Sequence, residues 1–310
     1  MHKKVIFVIL LCFFVFGGII YISYNRADHS ELTLSDLDHN QMLPKAFEMM
    51  NISEDELKIK DDKKVKIAII DSGISKNHPD LDIAIENSIN FINEDESVTD
   101  EYNHGTAIAG IIAAKDNNIG IVGIAHNTEI FDLKVLNKEG KGEIKNLVEA
   151  LIWCIENNID IVNISFGFQN HNDELLYTIE QAIENNIIVV AAAGNTYGID
   201  VDYPAKYDKV ISVNSIDYNN TPLNSSGSGK IDYVAPGLEI ISTDNKGSYS
   251  SFTGNSFSTA YVTAIIANLM SQNLLTTNNG LTDLKNFSHD IYEPGFDSFT
   301  GNGILKLSLK

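Results

Sequence analysis

The sequence predicts an α/β protein built on a mostly parallel central sheet with helices on both faces. Short, near-continuous apolar runs rich in Val and Ile recur at residues 65–70, 129–136, 160–165, 187–193 and 209–213. Runs of this kind suit strands that are covered on both sides. Between them lie helical patterns at 104–114, 143–157 and 173–185, and strands alternating with helices of that length make parallel crossover units. At 310 residues and 44% hydrophobic, the chain can bury one large core.

Each segment has its own justification. Residues 5–24 are a nearly unbroken apolar run preceded by Lys3 and Lys4, and about 20 apolar residues suffice to span a bilayer. The lysines before the run, and Asp28, Glu31, Asp36 and Asp38 after it, favour an N-terminus inside the cell. The expected organisation is a cytoplasmic 1–4, a transmembrane signal anchor at 5–24, a stem at 25–40 and a folded domain at 41–310. That places the protein in the cell membrane with its domain outside. A cleaved signal peptide with a secreted product is the alternative, although residues 21–27 offer no clear small-x-small site. The last helix is expected to begin at or just after Ser256 and run to about Met270, apolar on most faces and so largely buried.

The formal charge of −20 argues against nucleic-acid binding, which needs a basic footprint. Cys12 lies in the apolar N-terminal run and Cys154 in a helical pattern, so no disulfide between them is expected. The chain is expected to be a monomer.

Three separated segments carry the residue types that make a hydroxyl nucleophilic. They are Ile69-Ile70-Asp71-Ser72-Gly73, Asn103-His104-Gly105-Thr106 and Gly254-Asn255-Ser256-Phe257-Ser258-Thr259-Ala260. A serine hydroxyl attacks poorly unless a positioned base removes its proton. Imidazole, with an ordinary pKa of about 6.5, suits that task near neutral pH. A carboxylate behind it fixes the tautomer and stabilises the imidazolium. Gly254 would permit close backbone approach before Ser256, at a helix N-terminus that favours developing negative charge.

The order Asp71, His104, Ser256 is that of subtilisin rather than chymotrypsin or the α/β-hydrolases. Further segments agree: His104-Gly-Thr-Ala-Ile-Ala-Gly, Asn163-Ile-Ser165-Phe-Gly167, Ala191-Ala-Ala-Gly194-Asn195, Tyr203-Pro-Ala-Lys-Tyr207, Tyr233-Val-Ala-Pro-Gly237 and Gly301-Asn-Gly-Ile-Leu305. On these motifs the chain resembles the subtilisin-like serine proteases from about residue 40 onward. Around the nucleophile it departs from the common family pattern, with Asn255 for a threonine, Phe257 for a methionine and Ala260 for a proline.

The resemblance implies a three-layer α/β fold, a peptidase domain at 41–310 and endopeptidase activity on peptide or protein substrates through an acyl-enzyme. It implies Asn195 as oxyanion donor, a role compatible with that of a turn asparagine. Ser165, Phe166 and Gly167, with Ala192, Ala193 and Gly194, would wall the pocket for the residue before the scissile bond (P1). Asp202 would lie at its floor and favour Lys or Arg, although Asp200 or a merely solvated Asp202 is the alternative. The loop after the histidine helix resembles the family's calcium loop. Asn117 and the carbonyls of Lys115, Ile119 and Ile121 would bind Ca2+ together with Asp80, unless the loop is an ordinary polar surface. Residues 25–40 are too few for the long folding pro-domain of most secreted relatives, so folding without one is expected. In layout the chain is similar to the leader peptidases that mature lantibiotic-type peptides. A dedicated processing role is therefore expected, with a general scavenging protease or a silent binding protein as alternatives.

Overall fold

The computed structural model describes residues 41–57, 64–276, 283–292 and 294–308, all within a compact unit spanning Leu32–Lys310. The expected cytoplasmic segment 1–4, anchor 5–24 and stem 25–40 lie outside the described residues. Among the described residues no helix is long and apolar enough to cross a membrane.

Among the described residues nine strands form the central sheet: β1 (Lys66–Asp71), β2 (Ser88–Asn90), β3 (Glu129–Lys134), β4 (Ile161–Ile164), β5 (Ile188–Ala192), β6 (Ile211–Ile216), β7 (Tyr233–Pro236), β10 (Ser288–His289) and β11 (Ile304–Leu305). Their order is β10-β11-β7-β6-β5-β4-β1-β3-β2. Only the β10–β11 edge pair is antiparallel. A separate antiparallel hairpin joins β8 (Ile240–Thr243) to β9 (Tyr249–Phe252). The five apolar runs became β1, β3, β4, β5 and β6, each within a few residues of its expected span, and every residue of β4, β5 and β6 is buried.

Four helices position the site: α3 (Gly105–Ala113), α4 (Ile144–Glu156), α5 (Asp173–Glu184) and α6 (Asn255–Ser271), preceded by the short α1 (Ala46–Met50) and α2 (Glu54–Leu57). Helix α4 buries Leu147, Val148, Leu151 and Cys154 and exposes the opposite stripe, the pattern of a helix lying on a sheet. Helix α5 does the same with Leu175, Thr178, Ile179 and Ala182, and the Asn172 side chain caps its start by accepting from Leu175 N at 2.8 Å. Helices α4 and α5 pack together and against the sheet. Helices α3 and α6 form the other packed pair, with α6 crossing β4 to β7, which completes three layers. Every residue of α6 from Phe257 to Met270 is buried, as its all-round apolar character requires.

Strand order reverses direction between β1 and β4, because the chain runs outward from β1 through β2 and β3 before returning to β4. In a parallel α/β sheet the crevice at the carboxyl ends of such strands is where ligands bind. Asp71 ends β1, Ser165 follows β4 and Ala193 follows β5, so this edge carries the candidate residues.

Candidate active site

Asp71 is 1% exposed, and its Oδ1 lies 2.8 Å from His104 Nδ1. A carboxylate only accepts here, so Nδ1 carries the proton and Nε2 presents a lone pair. The approach depends on Gly105, since a Cβ there would overlap the Gly73 carbonyl and lie 3.2 Å from Asp71 Cβ. Asp71 Oδ1 also accepts from Ser72 N at 2.7 Å, while Oδ2 is buried with no hydrogen-bond partner among the described residues.

Asp100 ties the two segments together. It accepts from Ser72 Oγ at 2.8 Å, from Asn103 N at 2.9 Å and from Thr106 N at 3.0 Å. The buried Lys134 ammonium donates to the carbonyls of Ser72 and Thr99 at 2.6 and 2.9 Å. Burial opposes an imidazolium at His104, but the Asp71 charge and hydrogen bond, with help from Asp100, outweigh it and raise the His104 pKa above 6.5.

Ser256 is the second residue of α6, and its Oγ donates to the Ser165 carbonyl at 2.7 Å. The hydroxyl therefore rests at the end of β4, in the same cleft as the His104 imidazole. Active-site hydrogen bonds often tighten only when substrate binds. Gly254 precedes with φ +148°, and an added Cβ there would meet nothing closer than 3.9 Å. Glycine is thus needed for backbone conformation rather than for the close approach expected from the sequence.

His104, Ser256 and Asn195 line one cleft of about 550 Å³, together with Ser165, Phe166, Gly167, Ala192, Gly194 and Asp202. Ala193 is absent from this lining: it is fully buried in the core, and its carbonyl accepts from Asp202 N at 2.9 Å. The wall is thus made by residues on either side of it, as strand alternation dictates. Asp202 lies between the two glycines, where a Cβ on Gly194 would overlap its carboxylate and one on Gly167 would come within 2.7 Å of its Cβ. Half-buried and without a hydrogen-bonded cation among the described residues, its pKa is raised, first by burial and then by the Asp200 charge. Asp200 is exposed and paired with Lys206 at 2.6 Å. Of the two aspartates, only Asp202 is in the cleft.

Aromatic residues shape the same cleft: Phe257, which the sequence marked as a departure from the family pattern, and Tyr102 and Phe252, which it did not single out. The His104 ring sits 5.9 Å from Tyr102 and 5.4 Å from Phe257, which in turn lies 5.2 Å from Phe252. Tyr102 directly precedes the Asn-His-Gly-Thr motif, so proximity in sequence was an available signal for it.

The loop after α3 brings most of its expected residues together. Asn117 Nδ2 donates to Asp80 Oδ1 at 3.0 Å, and Asp80 Oδ2 accepts from Ile121 N at 3.0 Å and from Tyr249 OH at 2.7 Å. Gln41, which no motif flagged, reaches the carbonyls of Lys115 and Ile121 at 2.5 and 2.7 Å through Nε2. Ile119 N donates to Asn117 Oδ1 at 3.0 Å. Amide nitrogen and oxygen are nearly isosteric. Turning the Gln41 and Asn117 amides over would therefore present oxygens to the carbonyl and carboxylate oxygens gathered here. Among the described residues there is no cluster of three or more His, Cys, Asp or Glu able to hold a metal. A cation here would depend on neutral oxygens plus the one carboxylate of Asp80, a donor set that suits a hard ion such as Ca2+.

Comparison with known proteins agrees with this geometry. The sequence model of the subtilase family (peptidase S8) matches residues 62–303. The chain is 35% identical over 225 residues to Subtilisin E of Bacillus subtilis (strain 168), covering 71% of this chain and 58% of that protein. It is 35% identical over 225 residues to Subtilisin of Bacillus pumilus, covering 71% of this chain and 81% of that protein. It is 37% identical over 213 residues to an Intracellular serine protease of Paenibacillus polymyxa, covering 66% of this chain and 65% of that protein. The chain thus spans less than two thirds of the length of some of these relatives. The matched region runs from just before β1 to just before β11 and so contains every candidate catalytic residue. With the parallel three-layer fold and the Asp71–His104 pair at its carboxyl edge, this match places the chain in the subtilase family.

Proposed function

We propose that this chain is a serine endopeptidase that cleaves peptide bonds through an acyl-enzyme on Ser256. The carrying observation is the 2.8 Å bond from His104 to the buried Asp71, in the same cleft as Ser256 and Asn195. His104 Nε2 takes the Ser256 proton as Oγ attacks the substrate carbonyl, and Asp71 stabilises the imidazolium that forms. His104 then gives that proton to the leaving amine, and water hydrolyses the ester in the reverse sequence. The exposed Asn195 amide and the Ser256 backbone N–H, at the start of α6, stabilise the tetrahedral oxyanion.

The enzyme prefers Lys or Arg at P1. The Asp202 carboxylate, set between Gly167 and Gly194, has no bonded cation among the described residues, and a long basic side chain supplies one while its stem lies along the apolar walls. Asp80, Asn117, Gln41 and the carbonyls of Lys115, Ile119 and Ile121 hold a Ca2+ ion that stiffens the loop. Residues 5–24 tether the enzyme to the outer face of the cell membrane, where it acts as a monomer in processing secreted peptides.

The test is reaction of the full chain with a fluorophosphonate probe, which labels only an activated serine. Labelling that disappears in Ser256→Ala supports the reading. An unlabelled, folded wild type would instead favour a silent binding protein.

A further inference from the structure

We propose that Asn255 is the positioning residue of the oxyanion site, holding the Asn195 segment at a fixed place relative to Ser256. The inference rests on the catalytic reading above and assigns a role to a residue at which the chain departs from the common family pattern.

Asn255 directly precedes the nucleophile and is 2% exposed. Its Nδ2 donates to the Gly194 carbonyl at 2.6 Å and to Asn214 Oδ1 at 3.2 Å, and its Oδ1 accepts from Ser226 Oγ at 3.3 Å. One side chain therefore joins the residue before the oxyanion donor to the residue before the nucleophile. Asn214, fully buried on β6, anchors the far end of this link: it donates to the carbonyls of Gly227 and Phe299 at 2.8 and 3.0 Å and accepts from Gly227 N at 3.1 Å. A threonine hydroxyl offers one donor where the asparagine amide offers two, and both are used here.

The segment it holds needs an external anchor. Asn195 is exposed, and its side chain makes no hydrogen bond within the described residues. Gly194 has φ +91°, a conformation open to glycine with little restraint of its own. The place of the Asn195 amide is then set by where the Gly194 peptide is fixed. Oxyanion donors act only within about 2.7–3.1 Å of the developing charge, and a misplacement of about 1 Å can cost roughly 10²-fold.

The experiment is a double-mutant cycle in the full chain, measured per active site by titration with the probe. Asn255→Ala is expected to lower kcat by about ten- to a hundredfold with KM nearly unchanged. Asn195→Ala alone is expected to cost about 10²–10³-fold, a magnitude that comes from this enzyme family itself. In the Asn195→Ala background, Asn255→Ala should cost no more than about twofold, because the group it positions is gone. Asn255→Thr, which keeps a donor, should recover most of the lost kcat.

Two losses that multiply would overturn the proposal, as would a fall in titratable sites at unchanged kcat per site, which marks a purely structural role. Should the alanine variant not fold, Asn255→Leu, which keeps the volume of the side chain but has no donor, takes its place in the cycle. Turnover that survives Ser256→Ala would sink the catalytic reading itself. A dead Ser256→Ala with multiplying losses would sink only the role of Asn255.

Discussion

At one end of the cleft, the Asp71 carboxylate is sealed under the His104 ring and has its partner built into the protein at 2.8 Å. At the other end, the Asp202 carboxylate is half-buried between two glycines and pairs with no cation among the described residues. Lys206, four residues on in sequence, is committed to the exposed Asp200. Both sites withhold water from a carboxylate, and the difference lies in who supplies the opposite charge. An internal partner fixes Asp71 beneath His104, whereas Asp202, with no cation bonded to it among the described residues, leaves a demand that on the proposed reading a substrate meets. A buried charge without a cation is costly, and the same cost becomes selectivity when the right side chain arrives.

The largest expected effect breaks the catalytic end. Ser256→Ala should lower kcat/KM by at least about 10⁴-fold while leaving the melting temperature within a few degrees, because triad members act as a unit. Kinetics on a purified sample, alongside circular dichroism, check both halves. Residual turnover within tenfold of wild type would remove Ser256 from the mechanism.

The next effect breaks the recognition end. Asp202→Gly should reduce the ratio of kcat/KM for Lys over Leu at P1 by roughly 10- to 100-fold, the worth of a hydrogen bond to a charged group. Asp200→Gly should leave that ratio within about twofold, since Asp200 faces solvent and Lys206. A matched pair of peptides decides it, and an unchanged ratio in Asp202→Gly would return that carboxylate to an ordinary loop role.

Acid pH separates the two ends more gently. The proposed mechanism needs neutral His104, whose pKa is raised because the charges of Asp71 and Asp100 outweigh burial. The imidazolium therefore persists to higher pH, and the acid limb of kcat/KM should lie above pH 6.5. The Lys-to-Leu ratio cancels His104 and reports Asp202 alone. Because burial raises the Asp202 pKa above 3.8, that ratio should fall with acid sooner than an ordinary aspartate would allow. A ratio flat down to pH 4 would argue against it.

The smallest expected effect on turnover lies outside the cleft. With Ca2+ at about 100 times its Kd, chelation should remove about 2.7 kcal/mol and lower Tm by about 5–10 °C. Asn117→Ala or Gln41→Ala should abolish the difference between calcium and chelator, which differential scanning calorimetry would measure.

Much of this molecule was legible in its residues. The buried strands β1, β3, β4, β5 and β6 announced themselves because a strand covered on both faces must be apolar throughout. The edge strands β2 and β10 and the neighbouring β11, at two or three residues each, and the half-exposed hairpin strand β9 carry no such signature. Pairing with neighbours creates them. Asp71, His104 and Ser256 were recognisable because each sits in a short motif whose neighbours are also constrained, as Gly105 and Gly254 show. Gln41 was not, because a lone amide near the start of the domain has no local pattern. Only chain return brings it to the Lys115 and Ile121 carbonyls, 74 and 80 residues away.

By itself, then, the sequence determined the sheet's interior, the order of the three candidate catalytic residues and the helix that carries Ser256, since apolar periodicity and short motifs act over a few residues. Tertiary structure alone decided which of Asp200 and Asp202 enters the cleft, that Ala193 turns to the core, and that Asn255 reaches Gly194. Those choices depend on the distance and solvation of groups far apart in the chain, and folding sets both.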